Sequence, residues 1–200
     1  MASVITHSLV GLAAGAAIPG LPKTKRFWAL CALCPSIPDA DTIGFRFGVQ
    51  YGDMLGHRGF SHSILFALLL GVVAATTEFR RPGTGQKHHM MNLSSSAVRF
   101  GGRAWFGVAA FFAGVTMTHG FLDAMTDGGL GVGFFIPFSA KRYFFPWTPI
   151  EVSPIGVKQF FSARGLAVIK SELVYVWIPV LALAGAFKAF TLRKTRAAET

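Results

Sequence analysis

The sequence predicts an all-α integral membrane protein made of a single domain, with about five apolar helical segments and an aromatic, proline-rich segment capping one end. Three observations predict it. Of the 200 residues, 52% are hydrophobic and 14% charged, against roughly 25% charged in soluble domains, and the mean hydropathy is +0.49. The apolar residues gather into runs, several of them near the ~20 residues that cross a bilayer. The basic residues gather between those runs, which accounts for most of the formal charge of +10 as membrane topology and not as affinity for nucleic acid.

Ser3 to Pro19 is the first apolar segment, rich in Ala and Gly, and it is broken by the basic turn Gly20 to Arg26. No basic residues precede it and no small-residue cleavage site follows, so a removable signal peptide is not expected. Phe27 to Pro38 is the second segment, short for a span unless tilted. Its Cys31 and Cys34 have C-x-x-C spacing but no second pair, and read as buried packing thiols. Residues 42–59 read as a Gly-rich polar loop leading to His57-Arg58-Gly59-Phe60-Ser61-His62-Ser63.

Phe60 to Phe79 is the third segment and Ala104 to Leu122 the fourth. The polar, basic stretch between them, about 80–103, reads as a flexible linker in which His88 and His89 are solvated. The cap, about 124–170, sets Phe134, Phe135, Phe138, Tyr143 and Trp147 among prolines, as suits the headgroup region. Ser171 to Phe190 is the last segment, ahead of a basic tail.

If all five segments cross, the clusters Lys23/Lys25/Arg26, Arg80/Arg81/Lys87/Arg99/Arg103 and Lys188/Arg193/Lys194/Arg196 share one side, which the positive-inside rule makes cytoplasmic. Lys141, Arg142, Lys158, Arg164 and Lys170 on the other side run against that rule. With this topology His7, Asp39, Asp41, His57, His62, His119 and Asp123 all reach the outer face. Ionisable groups at a span are costly and mark function.

Imidazole and carboxylate together suit a divalent transition metal, zinc first and manganese or iron as alternatives. Their number exceeds what one tetrahedral zinc needs, so one or two ions are expected, with some carboxylates orienting histidines instead of binding metal. His119 and Asp123 are four apart and share a helix face. His57 and His62 are five apart and fit a loop entering a helix, with Ser61 as its cap. Asp39 and Asp41, two apart, point the same way if the backbone is extended. Taken singly, each has a structural reading: an incidental helix-start histidine for His7, turn residues for the two aspartates, an interhelical hydrogen bond for His119 with Asp123. Together, four separate segments deliver such groups to one face.

Asp39 or Asp41 is the candidate general base. Arg58 is the candidate clamp for a substrate phosphate or carboxylate, with a salt bridge to Asp53 or Asp41 as the structural alternative. Arg142 is a weaker candidate for the same work.

Thr6-His7 with Gly11, Pro38-Asp39-Ala40-Asp41, His57-Arg58-Gly59 with Ser61-His62-Ser63, His119 with Leu122-Asp123, and the later Pro137-Phe138-Ser139 and Arg142 to Trp147 resemble the membrane-bound, predicted metal-dependent hydrolases called LexA-regulated or YdjM-like. The resemblance spans about residues 3–155 and implies a multi-pass protein of the cytoplasmic (inner) membrane. The expected function is metal-dependent hydrolysis at the outer, periplasmic face, on a membrane lipid or lipid-linked phosphoester, with no nucleic acid as partner. A metal-binding transporter or sensor is the alternative. It calls for polar residues across the bilayer, and Ile64 to Val73 and Ala104 to Val115 offer almost none.

Overall fold

Ser3 starts the first helix: its side chain accepts from the Thr6 N–H, and α1 runs Val4–Ala17. The computed structural model describes residues 1–80 and 102–199. Thr24 caps α2 (Lys25–Leu33) in the same way, accepting from Phe27 N–H. Pro35 and Pro38 then turn the chain into a 3-10 run, Cys34–Phe47, which ends at Gly48 in the left-handed region. The α-helical part of the second apolar segment is therefore short, and the 3-10 run carries the chain on at the site end, where Pro35 O meets His119. The nine residues of α2 cover ~14 Å at about 1.5 Å each, under half of the ~30 Å hydrocarbon core.

After an irregular loop and a 3-10 turn at Phe60–His62, Ser63 caps α3 (Ile64–Phe79) by accepting from Phe66 N–H at 3.1 Å. The cap is Ser63 and not Ser61, because the 3-10 turn delays the helix. The long α4 spans Gly102–Ala124. The short α5 is Val157–Phe160. Then α6 (Ala163–Glu172), a π turn at Leu173–Trp177 and α7 (Ile178–Glu199) run on as one helix. Among the described residues, two stretches are long and apolar enough to cross a membrane, Gly102–Ala124 and Ala163–Lys194, with α1 and α3 as shorter apolar helices. The protein is thus all-α, as expected. Its last helix begins ahead of the anticipated Ser171. The expected linker about 80–103, with His88 and His89, lies almost wholly outside the described residues.

Two close approaches set the helix packing. A Cβ on Gly71 of α3 would stand 2.5 Å from Ala109 O of α4, and one on Gly11 of α1 would collide with Cys31 O of α2. Only glycine permits either, and small residues serve helix association in membranes this way. The main apolar core, with Phe27, Cys31, Cys34, Ala74, Val108 and Phe112, fills the space between α2, α3 and α4. Both cysteines are buried and free. By contrast α7 exposes Leu181, Leu183, Phe187 and Phe190, side chains suited to lipid contact.

Residues 125–156 form the cap without regular helix, tied by isolated bridges between Thr126 and Ile150 and between Val132 and Tyr143. Phe134 tucks inward, while Phe138 and Trp147 are exposed. The candidate site lies where this cap meets the start of α1, the 3-10 run, the 48–62 loop and the end of α4.

Candidate metal centre

His119 faces inward from the last turns of α4, and its Nδ1–H donates to Pro35 O at 2.7 Å. That bond sets the tautomer and makes Nε2 the lone-pair nitrogen, as a metal-binding imidazole requires. His119 Nε2 lies 2.9 Å from His62 Nε2 and 3.3 Å from Asp39 Oδ1. Asp123 Oδ2 lies 3.5 Å from His62 Nε2 and 3.9 Å from His119 Nε2, and Asp39 Oδ1 is 3.7 Å from His62 Nε2. For metal–ligand bonds of about 2.0–2.2 Å, a tetrahedron has edges of about 3.3–3.6 Å. The observed distances straddle that range, so Asp39, His62, His119 and Asp123 can converge on one ion.

The hydrogen bonding points the same way. Both Asp39 oxygens are buried with no hydrogen-bond partner. Buried carboxylates without donors are costly, and a cation is the group that would satisfy them. Asp123 Oδ1 is already used, accepting from Ala2 N–H at 2.8 Å.

Asp41, His57 and His62 form an adjoining group. His57 Nδ1–H donates to Asp41 Oδ1 at 2.7 Å, and Ser61 Oγ–H donates to Asp41 Oδ2 at 2.6 Å. Burial pushes the Asp41 carboxyl up, but the hydrogen bonds from His57 and His62 outweigh it and hold the carboxyl down at about 2. The 3-10 backbone, unlike the extended one expected, sends the two aspartates apart: Asp39 joins His119, and Asp41 joins His57. Ser61, expected as a helix cap, serves Asp41.

His7 lies against the first group. Its ring stacks on His119 with centroids 3.7 Å apart, its Nε2 is 3.6 Å from Asp123 Oδ1, and neither nitrogen has a hydrogen-bond partner.

The arginines stand differently from the expectation. Arg58 is fully buried and held in the left-handed region at φ 63°, where Gly133 N–H donates to its carbonyl at 2.9 Å. Its Nη1 donates to Gly128 O and its Nη2 to Thr126 Oγ1, each at 2.7 Å, while Nε pairs with Asp123 Oδ2 at 3.1 Å. The guanidinium thus orients a carboxylate of the site and offers no free edge to a substrate. Its salt-bridge partner is Asp123, neither Asp53 nor Asp41. Arg142 is likewise engaged, donating to His57 O and Asp53 O at 3.0 Å each and to Gly52 O at 3.3 Å, so it braces the loop that carries His57.

Glu172 was not anticipated. Fully buried at the end of α6, it accepts from Ser3 N–H, from Ser3 Oγ–H at 2.6 Å and from Thr6 Oγ1–H at 2.7 Å. It therefore pins the start of α1, and with it His7 and the Ala2 bond to Asp123. The signal was present in the chain: Glu172 is an acidic residue inside an apolar span.

No solved structure matches the chain. A curated relative, the inner membrane protein YbcI of Escherichia coli (strain K12), is 33% identical over 190 residues, covering 92% of this chain and 96% of its own. The family model described as YdjM inner membrane protein matches residues 1–195. With the fold and the relative in agreement, this chain belongs to the YdjM inner membrane protein family.

Proposed function

We propose that this protein is a metal-dependent hydrolase acting at the outer face of the inner membrane on a lipid or lipid-linked phosphoester. In this reading Asp39, His62, His119 and Asp123 hold a divalent transition metal, zinc first. The observation that carries it is the set of four ligand atoms within 4.8 Å of one another, delivered by three separate segments, with the Asp39 carboxylate lacking a hydrogen-bond partner. A divalent ion held there would supply Lewis acidity and lower the pKa of water at the site. Arg58 holds Asp123 in place, Pro35 O holds the His119 tautomer, and Asp39, whose second oxygen is unused, is positioned to accept a proton.

The lipid class is supported by an apolar cavity of about 310 Å³ lined by Met1, Val4, Ile5, Phe160 and Phe161. Met1 adjoins Ala2, whose N–H is bonded to Asp123, so the cavity neighbours the segment that reaches the metal residues.

The test uses the full chain purified in detergent and supplied with zinc or manganese, assayed for phosphate or headgroup release from phospholipid and polyprenyl phosphate vesicles. Chelation and His119→Ala should each abolish release. Release that survives both would overturn the proposal.

A further inference from the structure

We infer that His62 is shared between two ions, its Nε2 serving the Asp39/His119/Asp123 group and its Nδ1 serving a second site with Asp41 and His57. The inference rests on the metal-binding reading above and deepens it. A single ion at the first group uses one oxygen each of Asp39 and Asp123 and one nitrogen each of His62 and His119. It leaves the adjoining trio untouched, although there too one ligand atom per residue lies within 4.8 Å of the others.

Three observations give this trio the character of a ligand set. His62 Nδ1 is 3.3 Å from Asp41 Oδ2, near the ~3.3–3.6 Å edge of a coordination tetrahedron, and it also meets Ser61 Oγ at 2.9 Å. His57 is 1% exposed, and its Nε2 has no hydrogen-bond partner, so the ring carries an unused donor atom in a dry setting. The His57 and His62 rings stand edge to face, with centroids 5.4 Å apart and planes at 89°.

With both nitrogens of His62 used, the two ions sit on opposite edges of one imidazole. The ring's remaining proton leaves to solvent as the second ion binds. Ser61 Oγ–H continues to donate to Asp41 Oδ2, orienting that carboxylate as an outer partner does. The ligand types, two imidazoles and a carboxylate with open positions, suit zinc, copper(II) or iron better than magnesium or calcium.

The experiment is metal counting on the full chain, purified in detergent, stripped with chelator, reloaded with Zn²⁺ and separated from free metal by gel filtration. The wild-type chain should carry two ions, Asp41→Asn and His57→Ala one, and His62→Ala neither at comparable affinity. Copper(II) loading reads the bridge itself: two ions coupled through one imidazolate lose most of their electron paramagnetic resonance intensity, and Asp41→Asn restores the full signal of an isolated ion. A wild-type chain holding one ion, with Asp41→Asn unchanged, makes Asp41 an orienting acceptor only and overturns this inference while leaving the metal-binding reading intact. A chain holding none overturns both. Two ions with an uncoupled signal overturn the bridge. If a variant does not fold, the wild-type count and spectrum still decide.

Discussion

Arg58 Nε stands 3.1 Å from Asp123 Oδ2, with both side chains fully buried, and this pair is where fold and site depend most on each other. Breaking a buried ion pair by removing one partner costs about 3–5 kcal/mol, because the other charge is stranded. Arg58→Ala is therefore expected to lower unfolding stability by about that much in detergent. Arg58→Lys should recover only part of it, since an ammonium cannot reproduce the fork that also reaches Thr126 and Gly128. Denaturant titrations of the three proteins, monitored by helical circular dichroism, check the order.

Glu172 makes a second prediction. Its bonds to Ser3 and Thr6 are hydrogen bonds to a charged acceptor, worth about 1.5–3 kcal/mol each. Glu172→Gln keeps the shape but removes the charge and turns one oxygen into a donor facing donors. Amide exchange across residues 1–10 should rise, and zinc affinity should fall with it through His7 and the Ala2 bond to Asp123. Unchanged exchange in that segment would contradict the pinning role.

Gly71→Ala tests the packing of α3 on α4. The added methyl meets the Ala109 carbonyl, and overpacking of this kind costs about 1–3 kcal/mol. The control is Gly114→Ala on α4, where nothing lies within 4 Å of the added Cβ. Thermal unfolding should separate the two variants clearly.

Asp41 carries a pH dependence in the metal-free protein. Its carboxyl is held from the ordinary 3.8 down to about 2, so the folded state favours the carboxylate. The stability it contributes is fully present above pH 3.8 and is lost as pH falls through about 2. Chelated wild-type protein should therefore lose more stability between pH 4 and pH 2 than Asp41→Asn, whose side chain does not titrate. Parallel losses in the two proteins would contradict the assignment.

Much of the site was legible before the fold because its residues are of costly types in an apolar chain. His7, Asp39, Asp41, His57, His62, His119 and Asp123 stand out against their surroundings, and the structure gathers them at one end of the helices. Their partition was not legible. Whether Asp39 and Asp41 act together depends on backbone type, and the 3-10 run after Pro35 and Pro38 decides it by turning them toward different histidines. The partner of Arg58 was not legible because a guanidinium reads alike in sequence whether it faces a substrate or a buried carboxylate. Its partners Asp123, Thr126 and Gly128 are at least 65 residues away along the chain.

Composition and spacing by themselves determined that this is an all-α membrane protein with a histidine and aspartate cluster at one face, because hydropathy and residue chemistry are local properties. Tertiary structure alone decided that Glu172 locks the start of α1 and that Arg58 belongs to Asp123. Each of those depends on which distant groups meet in a dry interior, where an unpaired charge is too costly to leave, and no local pattern records that meeting.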